Sequence, residues 1–409
     1  MGKPKIRFKG YEDDWEQRKL DNVAEFSKGR GYSKGDLIEL GTPIILYGRL
    51  YTNYETSISD VDTYVEAKDG SVYSRGGEVI VPASGESAED IARAATVDKS
   101  GILLGGDLNV VMPNEDINSG FLAISISNGN PQRELAKRAQ GKSVVHIHNE
   151  EIRNLRVPFP IKVEQNKIVE YFFNLDHLIT LHQRKCEETK SLKKYMLQKM
   201  FPENGKCVPK IRFSGFSDAW EQRKLGEIYG SIGNAFVGTA TPYYVEQGHF
   251  YLESNNVKDG QINHNSEIFI NDEFYEKQKD KWLHSGDVVM VQSGHVGHAA
   301  VIPKELNNTA AHALIMFRNP KEEIEPYFLN YEYQTDKVKK KIENITTGNT
   351  IKHILASDMQ EFVVDVPKYE EQKVIASYFS HLDHLITLHQ HKCDELQKLK
   401  KFMLQNMFV

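Results

Sequence analysis

The sequence lacks several features that mark large classes of protein. Its 409 residues include only three cysteines, Cys186, Cys207 and Cys393, and none of them forms a C-x-x-C pair. A disulfide framework and a cysteine zinc site are therefore not indicated. No apolar run approaches the roughly 20 residues that cross a bilayer, so we expect no membrane partner. The first residues also lack the apolar stretch of a secretion signal, which favours a cytoplasmic protein.

An excess of basic residues is also missing. The formal net charge is −6, from 51 Lys and Arg against 57 Asp and Glu. This balance by itself gives no support to nucleic-acid binding. DNA binding would have to come from local basic patches, or from partners that supply positive charge.

Motifs of known catalytic sites are absent as well. The GKS at Gly141–Ser143 would need a glycine five positions earlier to form a phosphate loop, and Ala136 stands there. HIHNE offers His146 and His148 on one strand face, but it has no third metal ligand nearby, so a polar strand end explains it better. There is no adenine-methylation motif and no S-adenosylmethionine loop. The sequence therefore predicts a binding protein without catalytic residues and without a metal site.

What the sequence does contain is a tandem duplication. The nine residues LDHLITLHQ occur at Leu175–Gln183 and again at Leu382–Gln390, 207 positions apart. The other repeated stretches are PKIRF (Pro4–Phe8 and Pro209–Phe213), WEQRKL (Trp15–Leu20 and Trp220–Leu225), and LKKYMLQKMF with LKKFMLQNMF (Leu192–Phe201 and Leu399–Phe408). Between these shared ends the halves diverge, which indicates that one fold was kept while its surface chemistry changed.

Both halves are predicted to end in a long helix. Each shared closing segment starts after a proline, Pro160 or Pro367, and continues through residues of good helix propensity. A helix of about 35 residues would be roughly 50 Å long. One apolar stripe on so long a helix needs a partner, and the other copy is the simplest one. The residues assigned to helix packing or partner contact from heptad-compatible spacings are Leu175, Leu178, Leu192, Met196, Leu382, Leu385, Leu396, Leu399 and Met403.

The regions between the shared ends have a mixed character. Short β-type runs such as EVIVPA, DVVMVQ and ALIMF alternate with turn signals and short helical stretches, so the predicted fold class is α+β. The predicted organisation is a mixed domain at 1–160, a helix at 161–201, a linker at 202–208, a second mixed domain at 209–367 and a second helix at 368–409.

Polar and basic loops are the candidate binding surface. A glycine-rich loop such as SKGRGYSKGD can lay Arg and Lys along phosphates, and Asn and Gln suit adenine in the major groove. The DNA-binding candidates are Lys28, Arg30, Tyr32, Lys34, Arg49, Lys142, Ser143, Asn255, Asn256, Gln292, Ser293, His295, Thr347, Asn349 and Lys352. For each residue alone, an ordinary surface loop or turn is an equal alternative, and a salt bridge within a tyrosine cluster is the alternative for Arg49.

The repeated ends carry a family resemblance. The openings PKIRFKGYEDDWEQRKL and PKIRFSGFSDAWEQRKL, with the closings EQNKIVEYFFNLDHLITLHQ and EEQKVIASYFSHLDHLITLHQ, resemble the specificity subunit of type I restriction-modification enzymes over the whole chain. The resemblance implies two tandem α/β target-recognition domains, each followed by a long helix, with the helices packed as an antiparallel coiled coil. Each domain would read one part of a split, asymmetric target in double-stranded DNA.

The same resemblance implies partners. A subunit of this family is not catalytic and binds no cofactor itself; it joins two methyltransferase subunits, which use S-adenosylmethionine, and two motor-nuclease subunits, which use ATP and Mg²⁺. Two identical partners need two equivalent docking surfaces, whereas two different half-sites need different readers. Two alternatives remain open at this point. One is a self-contained DNA-modifying enzyme, and the other is a coiled-coil scaffold whose domains bind proteins instead of DNA.

Overall fold

The chain folds into two compact units that share two long helices. The computed structural model describes residues 3–203, 205–348 and 352–408. Unit 1 consists of Met1–Gln183 and Gln390–Val409, and unit 2 of Arg184–His389. Helices α6 (Lys162–Lys199) and α12 (Tyr369–Met407) each contribute one segment to either unit. Neither these nor any other helix in the described residues is long and apolar enough to cross a membrane.

Unit 1 is built on two five-stranded sheets. Its strands are β1 (Glu16–Lys19), β2 (Ala24–Lys28), β3 (Leu37–Ile38), β4 (Thr42–Ile45), β5 (Ser57–Ile58), β6 (Tyr64–Val65), β7 (Tyr73–Arg75), β8 (Glu78–Pro82), β9 (Ser84–Gly85), β10 (Ala95–Val97), β11 (Ser100–Leu104), β12 (Leu108–Pro113), β13 (Val145–His146) and β14 (Arg156–Phe159). Its short helices are α1 (Arg49–Thr52), α2 (Ala88–Ile91), α3 (Ser119–Ile126), α4 (Gly129–Arg138) and α5 (Asn149–Arg153). The sheets have the strand orders β2-β12-β8-β10-β5 and β3-β6-β4-β11-β7, and β1-β14 and β13-β9 form separate pairs.

Unit 2 repeats this plan with smaller sheets. Its strands are β15 (Glu221–Lys224), β16 (Tyr229–Asn234), β17 (Tyr244–Val245), β18 (His249–Leu252), β19 (Val257–Lys258), β20 (Gln261–Ile262), β21 (Phe269–Ile270), β22 (Val288–Val291), β23 (Ala299–Val301), β24 (Ala310–Ala311), β25 (Leu314–Pro320) and β26 (Val363–Val366). Its short helices are α7 (Leu225–Ile228), α8 (Asp272–Lys277), α9 (Pro326–Tyr333), α10 (Asp336–Ile345) and α11 (Ala356–Gln360). The larger sheets have the orders β16-β25-β22-β23 and β17-β21-β18-β24.

The strands predicted from apolar runs form the centres of these sheets. All five residues of β8 are buried, as are all four of β22 and the first four of β25. A continuous apolar run is typical of a strand that is covered on both faces, which explains why these segments lack the alternation of a surface strand. The predicted α+β class is confirmed.

One buried ion pair recurs in each unit and ties the opening repeat to the base of a long helix. Arg7 donates Nε and Nη2 to the two carboxylate oxygens of Glu164, at 2.7 and 2.8 Å. Arg212 holds Glu371 in the same way, with both distances at 2.7 Å. Both glutamates are almost completely buried. The pairing stabilises the charged guanidinium and raises the pKa of both arginines, mainly through these hydrogen bonds.

The C-terminal end of each long helix packs into the core of a unit. The end of α12 packs into unit 1, and the end of α6 packs into unit 2. Phe408 follows the end of α12 and packs against Trp15 in unit 1, with 6.3 Å between the ring centroids. Phe201, after the end of α6, lies 5.8 Å from Trp220 in unit 2. The repeated WEQRKL and MLQ-x-MF stretches therefore contact each other in both units, which is why both ends are repeated together.

Within each unit the two helix segments run antiparallel, as the contacts Phe172–Phe408 in unit 1 and Phe201–Phe379 in unit 2 show, and an ion pair joins them. In unit 1, Lys400 Nζ lies 2.5 Å from Asp176 Oδ1. In unit 2, Lys193 Nζ lies 2.6 Å from Asp383 Oδ1. The aspartates belong to the LDHL repeat and the lysines to the LKK repeat, so the two repeated motifs are each other's partners.

The predicted apolar seam of the helices is correct in part. Leu175, Leu382 and Leu396 are buried, and Met196, Leu385 and Met403 are half-buried. Leu178, Leu192 and Leu399 are exposed, so they do not lie in a buried seam, and the other role assigned to them, contact with a partner, stays a prediction. The buried stripe of α6 passes instead through Phe172, Leu175, Ile179 and Cys186. Because an α-helix has 3.6 residues per turn, a residue three positions after Leu175 lies beside this stripe.

Unit 2 has a second cluster of charged residues in its interior, without a counterpart among the described residues of unit 1. Glu332 of α9 stands where α3 of unit 1 has Ser125, and it is 2% exposed. Its Oε1 accepts the backbone N–H of Asp365 at 2.9 Å, and Lys337 pairs with the Asp365 carboxylate. Burial raises the pKa of Glu332 to about 8, because the charged carboxylate is poorly solvated there.

Replacing Arg7 should destabilise unit 1 strongly. The change Arg7→Met leaves the Glu164 carboxylate buried without its partner, and we expect a loss of about 3–5 kcal/mol in the free energy of unfolding. Arg212→Met should do the same in unit 2. Denaturant unfolding, with hydrogen exchange used to follow each unit separately, measures the loss of stability in unit 1 and in unit 2. The control is Lys3→Met, because Lys3 forms an exposed pair with Asp14 that should contribute less than about 1 kcal/mol. Equal losses for Arg7→Met and Lys3→Met would contradict the proposed role of the buried pair.

The stability of unit 2 should fall as the pH rises from about 4 to about 8. In this range the folded state holds a proton on Glu332 that an unfolded glutamate, with a pKa of about 4.3, has released. The isosteric change Glu332→Gln should flatten the profile and add as much as about 5 kcal/mol at pH 8. Melting temperatures measured from pH 4 to 9 test this, with exposed Glu343→Gln on α10 as the control. A wild-type profile that parallels that of Glu332→Gln would show that the carboxyl is not protonated in the fold.

Candidate nucleic-acid interface

Three neighbouring strands of unit 1 bring polar loops to one sheet edge. Strands β2 and β8 both pair antiparallel with β12, so their C-terminal ends meet the start of β12. At this edge Lys28 is opposite Asn109, and Pro82 is opposite Leu108. The loops that follow β2 and β8 therefore emerge side by side.

Hydrogen bonds from backbone groups and from one side chain hold four loops together at this edge. Gly106 N–H donates to the carbonyl of Gly31, and Ala83 N–H donates to that of Asp107 at 2.7 Å. The side chain of Asn149 donates to the carbonyl of Ser27 at 2.9 Å, which adds the loop before α5. We call the loops 28–34, 83–86, 105–107 and 140–149 the strand-end surface of unit 1.

A serine and a histidine are paired on this surface. Ser84 Oγ lies 3.1 Å from His146 Nδ1, and the short strands that contain them, β9 and β13, are hydrogen-bonded. Lys142 and Ser143 are exposed in the turn just before β13. Gly141 opens that turn with φ +135°, and a Cβ atom there would lie 2.0 Å from the carbonyl oxygen of Val144. The turn thus needs glycine.

Unit 2 has an equivalent strand-end surface. The end of β16 is paired with β25 and the end of β22 with the start of β25, at Asn234 opposite Ile315 and at Val291 opposite Leu314. Gly294 N–H donates to the carbonyl of Lys352 at 3.1 Å, which joins the loop after β22 to the segment before α11. The loops 234–238, 292–298, 312–313, 347–348 and 352–354 form the strand-end surface of unit 2.

The serine–histidine pair is present here too. Ser293 Oγ lies 2.9 Å from His353 Nδ1. The backbone of His353 forms a two-bond bridge with Thr347, as the backbone of His146 does with Gln140 in unit 1. The framework of the two surfaces is therefore the same.

The side chains that this framework presents differ between the units. Lys28 ends β2 where Asn234 ends β16. Arg30 donates its backbone N–H to the end of β11, and Phe236 makes the same contact with β24. Unit 1 thus presents basic side chains at positions where unit 2 presents an amide and an aromatic ring.

His312 adds a further difference. Its Nε2 contacts the carbonyl of Gly238 at 3.0 Å, and its Nδ1 lies 3.3 Å from Glu253 Oε1. The bond to Glu253 raises the pKa of His312, and the bond to His312 lowers the pKa of Glu253. Gly105 makes the corresponding backbone contact in unit 1 and has no side chain to offer.

The structure brings most of the predicted DNA-binding residues to these two surfaces. In unit 1 they are Lys28, Arg30, Lys142 and Ser143, with Tyr32 and Lys34 further along the same loop. In unit 2 they are Gln292, Ser293, His295, Thr347 and Lys352. The hydroxyl of Tyr32 already has a hydrogen-bond partner within the protein, Ser71 Oγ at 2.6 Å. Whether these residues contact DNA stays a prediction.

Other predicted residues are placed elsewhere. Arg49 is engaged by the carboxylates of Glu55 and Asp62 at 2.8 and 2.9 Å, which is the salt-bridged alternative considered for it. Asn256 is 1% exposed: its amide nitrogen donates to the carbonyls of Asn263 and Ser266, and its Oδ1 accepts the backbone N–H of Glu253, so both polar atoms are used within the fold. Asn255 is exposed in the same turn, which is not one of the loops of the strand-end surface. Asn349 lies outside the described residues.

Several residues of the two surfaces were not identified from the sequence. The histidines of the paired serine–histidine contacts carried a signal, because QGKSVVHI and TGNTIKHI repeat the histidine at His146 and His353. Asn234, Phe236 and His312 carried none, since the halves do not resemble each other at these positions. Within the described ranges, no three His, Cys, Asp or Glu side chains are grouped so that they could hold a metal ion.

The chain is similar in sequence and in fold to known proteins of one kind. The type I restriction enzyme MjaVIII specificity subunit of Methanocaldococcus jannaschii is 20% identical over 404 residues, which cover 95% of this chain and 91% of that protein. The crystal structure of a type I restriction-modification system S subunit from M. genitalium is similar with a TM-score of 0.65 and 14% identity, covering 100% of this chain and 99% of that one. A chain from a study of complex assembly in the type I restriction-modification system has a TM-score of 0.52 at 17% identity, covering 97% and 98%.

A family model matches both halves of the chain. It is the type I restriction modification DNA specificity domain, and it matches residues 12–191 and 217–398. These ranges include both strand-end surfaces and most of both long helices. With two copies of this domain over most of its length, the chain belongs to the family of type I restriction-modification DNA specificity proteins.

Proposed function

We propose that each unit reads one half of a split, asymmetric sequence in double-stranded DNA through its strand-end surface. The observation that carries this proposal is that the two surfaces share one backbone framework but present different side chains. Two equally placed readers with different chemistry are what a target with two different halves requires. Residues shared by both readers would position the DNA, and residues that differ would specify its bases.

The differing side chains have chemistry suited to base edges. Arg30 and Lys28 in unit 1 offer the charged donors that favour guanine, and both are exposed. Asn234 in unit 2 offers the paired donor and acceptor of an amide, which suits adenine. Phe236 is half-buried beside it and offers an apolar contact of the kind made with a thymine methyl group.

We also propose that the helices dock two methyltransferase subunits. In unit 2, Leu192 and Tyr195 lie three residues apart on α6 and are 45% and 52% exposed. In unit 1, Leu399 and Phe402 occupy the equivalent positions of α12 and are 41% and 53% exposed. Residues three apart share a helix face, so each unit presents an apolar patch at the equivalent place on its helix. Two such patches fit two copies of one partner, and they give Leu192 and Leu399 a function outside the helix seam.

The chemistry of the complex would then belong to the partners. S-adenosylmethionine would bind the methyltransferase subunits, and ATP and Mg²⁺ would bind two motor-nuclease subunits. The net charge of −6 is compatible with this arrangement, because partners would neutralise much of the DNA backbone.

Changing one strand-end surface should alter only one half of the target. The chain is expressed with its methyltransferase subunit in a methylation-deficient host, and the methylome is sequenced. We expect one split motif for the wild type, relaxation of one half for Arg30→Ala, and relaxation of the other half for Asn234→Ala, because each removes a donor to base edges. Arg133→Ala, an exposed arginine on α4 away from the strand ends, is the control and should leave the motif unchanged.

The proposal fails if the wild-type chain directs no sequence-specific methylation although it forms a stable complex. It also fails in its assignment of one half-site to each unit if Arg30→Ala relaxes both halves.

Removing one apolar patch should halve the number of bound methyltransferase subunits. The double change Leu399→Gln/Phe402→Gln keeps good helix propensity but removes the apolar contact in unit 1. We expect native mass spectrometry to show one bound methyltransferase per chain instead of two, and the same for Leu192→Gln/Tyr195→Gln. Leu40→Gln serves as the control, because Leu40 is an exposed leucine outside both helices. Two bound partners in every variant would rule these patches out.

A further inference from the structure

We infer that His146 and His353 are equivalent DNA-phosphate ligands, one in each half-site. The inference rests on the proposed reading of DNA by the strand-end surfaces and adds a contact that is independent of base sequence. It concerns the two histidines of the serine–histidine pairs, which the framework of both units holds in the same place.

The serine fixes the direction in which each ring points. Ser84 Oγ lies 3.1 Å from His146 Nδ1, and Ser293 Oγ lies 2.9 Å from His353 Nδ1. The two nitrogens of an imidazole are on different edges of the ring, so Nε2 is left for another partner. Both histidines are exposed residues. Nε2 is therefore available on the surface formed by the strand-end loops. It donates to a phosphate when the serine hydroxyl donates to Nδ1 or when the ring carries both protons.

The backbone around each histidine is fixed as well. The N–H and C=O of His146 both bond to Gln140, and those of His353 both bond to Thr347. In unit 1 the next residue, Ile147, donates its N–H to Ala83 at 3.0 Å, and in unit 2 Ile354 donates its N–H to Gln292 at 3.0 Å. A ring held by its backbone and by one of its own nitrogens loses little freedom on binding, which favours a recurrent contact.

The shared position indicates a shared ligand. Around the pair the units differ, with Lys28 against Asn234 and Arg30 against Phe236, but the serine and the histidine are the same in both. A residue that read bases would be expected to differ between readers of different half-sites. Phosphate groups are the part of the ligand that both half-sites have in common, and contacts to them position the protein on the duplex.

A purely structural role for the two histidines explains less than a phosphate contact does. The inward hydrogen bond to serine uses only Nδ1, and asparagine could supply it with a shorter side chain. His148, which lies two residues further on with its ring 6.3 Å from that of His146, is also exposed, but unit 2 has Leu355 at the corresponding position. The repeat therefore retains one histidine of this surface and not its neighbour.

Paired substitutions separate the outward contact from the inward one. In a His→Asn variant the amide lies where Nδ1 was, so the bond to serine is kept and the outward group is lost. In a His→Gln variant the amide lies where Nε2 was, so the outward donor is kept and the bond to serine is lost. We expect His146→Asn and His353→Asn each to weaken binding by about three- to tenfold, as loss of one hydrogen bond would, and the glutamine variants to stay within about twofold of the wild type. A purely structural role predicts the opposite order.

The measurement is the dissociation constant of the chain assembled with its methyltransferase subunits. It is made at one fixed salt concentration, both for its methylome-defined target and for a duplex of unrelated sequence. His284→Asn is the control and should change neither constant, because His284 is an exposed histidine before the start of β22, at the opposite end of that strand from the strand-end surface. Because phosphates are common to all sequences, the loss for His146→Asn and His353→Asn should be equal on both duplexes.

Three outcomes would overturn the inference. They are unchanged affinity in both asparagine variants, better binding by asparagine than by glutamine, and a loss confined to the specific target, which would make the histidines base readers. A wild-type complex that binds both duplexes equally would instead refute the proposed sequence reading, and the histidine variants would still be compared on either duplex. A complex that binds no DNA would refute both.

Discussion

The packing of each helix end onto the tryptophan of an opening repeat is the contact on which the architecture depends. Phe408 must reach Trp15 to complete the core of unit 1, and Phe201 must reach Trp220 to complete that of unit 2. Unit 1 is therefore closed only by a segment from the other end of the chain. This constraint couples the repeated openings to the repeated closings, and the Lys400–Asp176 ion pair reinforces the same coupling.

The constraint leaves the strand-end loops free to change. The contacts that join the helix ends to the opening segments involve the outer repeats, while the loops after β2, β8, β16 and β22 are held to each other mainly by backbone bonds. Backbone bonds do not depend on the side chain, so Lys28 and Asn234 can occupy equivalent places without disturbing the fold. As a member of the specificity family, the chain is the non-catalytic DNA-recognition component of a type I restriction-modification system. A fixed core with variable loops is suited to that role.

The halves are not equivalent in their interiors. Unit 2 buries Glu332 and Asp365 beside the half-buried Lys337, where α3 of unit 1 has Ser125 in place of the glutamate. A buried carboxyl without full compensation costs stability, so this difference affects the response of unit 2 to pH. Comparing the two halves of the sequence shows that Glu332 replaces Ser125. Only the fold shows that Glu332 is buried, and burial is what raises its pKa.

The sequence by itself determined the duplication, the α+β class, the two long helices and the family, because repeats and periodicity are properties of the chain order. It also located six of the nine helix-packing residues as at least half-buried, since apolar spacing reports the stripe of a helix approximately. Only the tertiary structure decided that Leu178, Leu192 and Leu399 face outward, that Arg49 and Asn256 are used internally, and that Ser84 meets His146. These depend on side-chain directions and on contacts between residues far apart in sequence, which local pattern does not encode.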